Sequence, residues 1–118
     1  MSTPFQLTAE QEAVREAVRE FGENEIRPVA DEYEAAQRYP ADLLAEAAEY
    51  DFVAPAVPEK YGGAGMDTIS ELLVTEELWR ADPGIGGSIS AARFGTEMLL
   101  SYGDEWMKEE WLPKITAG

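Results

Sequence analysis

Apolar residues recur at three- and four-residue intervals almost from end to end of this chain, and no run reads clearly as a strand. That pattern restricts the fold to helices. Thr8 with Gln11 fits a capping box, followed by Val14, Val18 and Phe21 on one helical face. Gly22 reads as a break. Ile26, Val29, Ala30 and Tyr33 then resume the spacing in a second helix, with Pro28 in its first turn. Pro40 opens a third helix carrying Leu43, Leu44, Ala47 and Ala48, and Pro55 and Pro58 forbid its extension. Asp67 is an N-cap for a fourth helix with Ile69, Leu72, Leu73 and Glu76. Asp82-Pro83 starts a fifth, expected to run through Ile85, Ile89, Ala92 and Leu99 to Tyr102-Gly103. A sixth begins at Asp104, with Met107, Trp111 and Ile115 on one face. The expected fold is all-α, an orthogonal or up-down bundle of about six helices, with residues 1–118 forming one domain.

Charge and missing residue types narrow the chemistry. Twenty-four acids against nine bases give a net charge of −15. Such a surface repels nucleic acid and anionic membranes, so neither is an expected partner. The acids are spread through every segment rather than gathered in a tail, which favours a salt-adapted surface over a dedicated acidic interaction module. The chain has no cysteine and no histidine, which removes thiolate chemistry, the commonest metal ligand and the commonest general base. No metal centre is expected. No apolar run approaches the ~20 residues of a membrane span. The opening MSTPFQLTAEQE has no secretory pattern, so a cytoplasmic protein is expected.

Two glycine-rich segments invite a binding reading. Tyr61-Gly-Gly-Ala-Gly-Met-Asp67 precedes a helix, as a phosphate loop does. It lacks the Gly-Lys-Ser/Thr ending, and Asp67 would repel a phosphate, so a turn between helices is the expected role. The segment Gly84–Gly95 holds Gly84, Gly86, Gly87, Ser88, Ser90, Ala91, Ala92 and Gly95. Each interior helical glycine costs roughly 1 kcal/mol against alanine. Close helix packing and the wall of an apolar pocket both account for it. In the second case Ser90, Ala91 and Phe94 share a side, with a small floor beside one aromatic ring. Trp111 is expected to pack, and Arg93 to pair with an acid. No nucleophile sits with a base, and the pairs Glu76-Glu77 and Glu109-Glu110 do not face each other on a helix.

Laid end to end, the segments resemble the N-terminal helical domain of the acyl-CoA dehydrogenase family. LTAEQEAVREAVREFGENEIRPVADEYE looks like its opening helices, and VPEKYGGAGMDTISELLVTEEL like its most recognisable stretch. RADPGIG and SYGDEWMKEEWLPKITAG follow in order. The resemblance implies an FAD enzyme that converts an acyl-CoA to a trans-2-enoyl-CoA, with electron-transfer flavoprotein as acceptor and a homo-oligomeric assembly. It implies that Ser90, Ala91 and Phe94 approach the acyl chain, with Gly86 and Gly87 before them. It also implies that this domain caps one side of the flavin, while a β domain and a C-terminal bundle outside this chain supply most of the flavin contacts and the bundle supplies the catalytic base. No catalytic residue is therefore expected among residues 1–118, and the isolated chain is expected to be inactive. Acyl-CoA oxidases and flavin monooxygenases, which share this kind of helical domain, are the enzymatic alternatives. A non-catalytic acidic interaction module is the other.

Overall fold

The reciprocal bonds of a capping box open the first helix of the computed structural model, which describes residues 3–118. The Thr8 N–H donates to Gln11 Oε1 at 3.0 Å, and the Gln11 N–H to Thr8 Oγ1 at 3.2 Å. Helix α1 spans Ala9–Phe21 and buries Val18 and Phe21. Gly22 does not break the chain. A π-helical turn, Gly22–Ile26, and a short 3-10 turn, Arg27–Val29, carry it into α2, Ala30–Ala36. Pro28 sits in that 3-10 turn, where a missing N–H is tolerated. Helix α3 is Ala41–Glu49, N-capped by Pro40.

Aspartates start the next two helices. Asp67 Oδ1 accepts from the Ser70 N–H at 2.7 Å and opens α4, Thr68–Ala81. Asp82 Oδ2 accepts from the Ile85 N–H at 2.8 Å and opens α5, with Pro83 at its first position. The expected long fifth helix is two. Helix α5 ends at Ala91, and α6 runs from Thr96 to Tyr102. Between them Gly95 takes φ +95°, a left-handed position that stops helix propagation. Helix α7, Glu105–Thr116, is the last, so the described residues form seven α-helices and no strand.

The core has two parts. The larger joins Val18, Phe21, Ile26, Tyr33, Phe52, Val53, Val74, Leu78, Ile85 and Ile89, with α4 packed between α1 and α5. The smaller joins Ala54, Val57 and Tyr61 of the proline–glycine segment to Leu112 of α7. Leu112, and not Trp111, is the buried member of that helix; Trp111 is 50% exposed, with the Lys114 ammonium 4.6 Å from its ring centroid. The domain measures 44 × 42 × 19 Å with a radius of gyration of 14.8 Å. A rounder chain of this length would have roughly 13–14 Å. The domain is therefore a plate about two helices thick, since packed helices lie ~8–10 Å apart.

Candidate functional site

The small-residue helix α5 lies against α4 at one edge of the plate, and its glycines divide into two uses. A Cβ on Gly86 would lie 2.3 Å from the Leu78 carbonyl oxygen, so only hydrogen fits at this crossing. A Cβ on Gly87 would lie 3.3 Å from Cζ2 of the Trp79 indole, a tight contact with a side chain rather than with backbone. Ser90 is buried, and its hydroxyl donates to the Gly86 carbonyl at 2.8 Å. Ala91 and Phe94 face outward, with Phe94 81% exposed. The three residues expected to share a side are thus split: Ser90 turns into the α4–α5 seam, while Ala91 and Phe94 face solvent. The physical reason is the end of the helix at Ala91, which removes the i, i+4 relation between Ser90 and Phe94.

Arg93 fixes the break. Its Nε lies 3.1 Å from Glu71 Oε1, and its Nη2 donates to Thr75 Oγ1 at 2.6 Å, so the turn after α5 is clamped to α4. Arg93 is an ion-pair partner, as the surrounding acids imply. The clamp leaves an apolar surface beside it. Ile69, Leu72 and Trp79 are exposed on α4, Met98 and Tyr102 are exposed one turn apart on α6, and Phe94 is exposed in the turn before it. The sequence reading missed this stripe. Helix α4 is apolar around most of its circumference, with Leu73, Val74 and Leu78 inside and Ile69 and Leu72 outside, so its periodicity does not pick a single face.

One buried charge lies on the opposite side of α4. Glu77 is 2% exposed and accepts from Arg19 Nε at 3.1 Å and Nη2 at 2.6 Å. Arg80 Nη1 lies 3.4 Å from Glu77 Oε2, the oxygen that also accepts from Arg19 Nε, and reaches Glu23 as well. The Arg19 hydrogen bonds hold the Glu77 carboxyl below the usual glutamate range, against the opposing effect of burial. The neighbouring Glu76 is exposed, so the two glutamates form no acid–base pair.

The Tyr61–Asp67 loop is a packing element. A Cβ on Gly63 would lie 1.9 Å from the Val57 carbonyl oxygen. The N–H groups of Gly62, Gly63, Gly65 and Met66 donate to the carbonyls of Glu59, Pro58, Val57 and Pro55. The Tyr61 hydroxyl donates to Glu105 Oε1 at 2.6 Å and ties the loop to α7. With those N–H groups engaged, the loop is no phosphate cradle. No cluster of three metal-ligating side chains occurs among the described residues.

This architecture is a flat helical domain with exposed apolar residues at one edge and a small-residue seam between α4 and α5. A family model described as acyl-CoA dehydrogenase, N-terminal domain, matches residues 8–118. The chain belongs to that family. It is 34% identical over 115 residues to the short-chain-specific acyl-CoA dehydrogenase of Clostridium acetobutylicum, covering 97% of this chain and 30% of that one. A chain from the solved structure described as an electron transferring flavoprotein of Acidaminococcus fermentans superposes with a TM-score of 0.89 at 30% identity, over 98% of this chain and 31% of that one. The acyl-CoA dehydrogenase of Bacillus anthracis, solved with FAD, superposes with a TM-score of 0.87 at 29% identity, over 98% of this chain and 20% of that one. The chain thus spans about 30% of the length of its curated relative. No helix among the described residues is long and apolar enough to cross a membrane.

Proposed function

We propose that this chain is the N-terminal domain of an FAD-dependent acyl-CoA dehydrogenase that introduces a trans double bond between Cα and Cβ of an acyl-CoA. The family match over residues 8–118 carries the reading. Within it, Phe94 and Ala91 form part of the acyl-chain wall, with Ser90, Gly86 and Gly87 as the seam that sets the wall's position. The exposed apolar residues of α4 and α6 support this assignment, because a domain of a larger enzyme exposes the surface that its neighbours cover. FAD belongs to the whole protein and is held mainly by its other domains, with this domain shielding one side of the flavin. Electron-transfer flavoprotein is the proposed acceptor, the whole protein is proposed to be a homo-oligomer, and its compartment is proposed to be a salt-rich cytoplasm.

The test joins residues 1–118 to the remaining domains of the Clostridium acetobutylicum relative and assays dye reduction with a series of acyl-CoAs. The chimera is expected to bind FAD and oxidise acyl-CoA, and the isolated chain to do neither. A chimera that folds and binds FAD but oxidises no acyl-CoA overturns the reading. So does activity in the isolated chain.

A further inference from the structure

Among the described residues, the ion pair between Arg93 and Glu71 differs from every other. Both of its side chains are mostly buried, at 14% and 19% exposure. Each of the other pairs leaves at least one partner more than a third exposed. Arg93 is the only basic residue between Arg80 and Lys108. Its Nη1 is also buried, with no hydrogen-bond partner among the described residues. Such a pair is a poor source of stability. Taking two charges out of water costs about as much as their attraction returns, and well-packed apolar side chains of similar volume serve as well or better. What the pair does supply is a fixed geometry.

The geometry is that of one turn. Between α5 and α6 the backbone bonds are local: the Phe94 N–H donates to the Ala91 carbonyl at 3.1 Å, and the Thr96 N–H to the Arg93 carbonyl at 3.0 Å. These bonds shape the turn without placing it against α4. Arg93 places it. Its Nε meets Glu71, and its Nη2 donates to Thr75 Oγ1. The Thr75 hydroxyl donates in turn to the Glu71 carbonyl at 3.0 Å, which leaves its lone pairs for the guanidinium. Glu71 and Thr75 lie one turn apart on α4, so the planar fork has two anchors and one orientation. The next residue is Phe94, which is so exposed that its own packing against the domain does little to hold it.

We propose that Arg93 is a positioning residue for the acyl-chain site: anchored to Glu71 and Thr75, it holds the α5–α6 turn in the orientation that sets Phe94 in the acyl-chain wall, and so limits the length of chain accepted. The inference rests on the dehydrogenase reading above. Arg93 touches no substrate in this role and acts through Phe94.

The test uses the chimera with the Clostridium acetobutylicum relative and compares kcat/KM for butyryl-CoA and octanoyl-CoA. The double variant Glu71→Met, Arg93→Met removes the pair and leaves no charge buried alone. It should keep the FAD content of the parent and melt at or above the parent's midpoint. Its octanoyl-to-butyryl ratio should rise about tenfold, mainly through KM. Arg93→Lys keeps the charge but loses the two-point fork, and should give an intermediate ratio. In a Phe94→Ala background the same double replacement should leave the ratio unchanged, because the side chain being positioned is gone. An active chimera whose ratio does not move in the double variant, or moves equally with and without Phe94, overturns this proposal alone. So does a double variant that loses FAD or melts lower, since the pair would then serve stability. A chimera that binds FAD but oxidises no acyl-CoA overturns the dehydrogenase reading, and the proposal falls with it.

Discussion

At the residue scale, three positions carry sharp expectations. Gly86 meets the backbone of α4, so Gly86→Ala forces two helices apart and should cost about 1–3 kcal/mol in urea denaturation. Gly87 meets only the half-exposed Trp79 ring. Gly87→Ala should therefore be neutral, or stabilising by up to about 1 kcal/mol through helix propensity. The reverse ranking would mean that α5 does not sit on α4 as described. Glu77 links stability to pH. Its folded pKa is lowered, so the fold favours the ionised form. Its contribution is whole above the unfolded glutamate value, about 4.3, and is lost as pH falls through the lower folded value. Glu77→Gln should cost about 1–2 kcal/mol at neutral pH and flatten the acid limb of the unfolding curve. An unchanged acid limb would assign that limb to Asp67, Asp42 and Glu105, whose carboxyls are also lowered. Phe94 belongs to this scale too. In an active chimera, Phe94→Ala should move the preferred acyl-CoA toward longer chains, and an unmoved profile would take Phe94 out of the pocket wall.

At the scale of elements, the break between α5 and α6 is the feature to perturb. Gly95 has open space where a Cβ would stand, so Gly95→Ala tests backbone conformation alone and should cost about 1 kcal/mol. A neutral result would show that α5 and α6 can merge into one helix in solution. This break also marks where sequence reading ends. The starts of α1, α4 and α5 were legible because Thr8, Asp67 and Asp82 act within three residues of themselves. The turn at Arg93–Gly95 was not, because Ile85, Ile89 and Leu99 keep a helical spacing across it while Arg93 is drawn to Glu71 on another helix. Likewise α7 carries apolar residues at Met107, Trp111, Leu112 and Ile115, and only the proline–glycine segment packed on it decides that Leu112 goes inside. Of the candidate site, the unusual run of small residues was visible in sequence. Its division between a packing seam and an exposed side was not, because that depends on where α4 lies.

At the scale of the molecule, a charge of −15 opposes compaction. Raising KCl from about 0.1 M to about 2 M shortens the screening length from ~10 Å to a few Å. Exposed ion pairs such as Arg27–Glu23 lose little in return, about 0–1 kcal/mol each. The thermal midpoint should rise over this range, and a fall would remove the salt-adapted reading. The plate-like shape bears on how such a domain keeps its interior from exchanging with the surroundings. With a thickness of 19 Å, the mid-plane lies about 10 Å from either broad face. Amide protons cannot be graded by depth as they are in a thicker domain, and the slowest to exchange with heavy water should be those of α4, flanked by α1 on one side and α5 on the other. An exchange map of this one helix therefore reports on the whole domain, and covering its apolar edge in a larger assembly should be read there as slowed deuterium uptake.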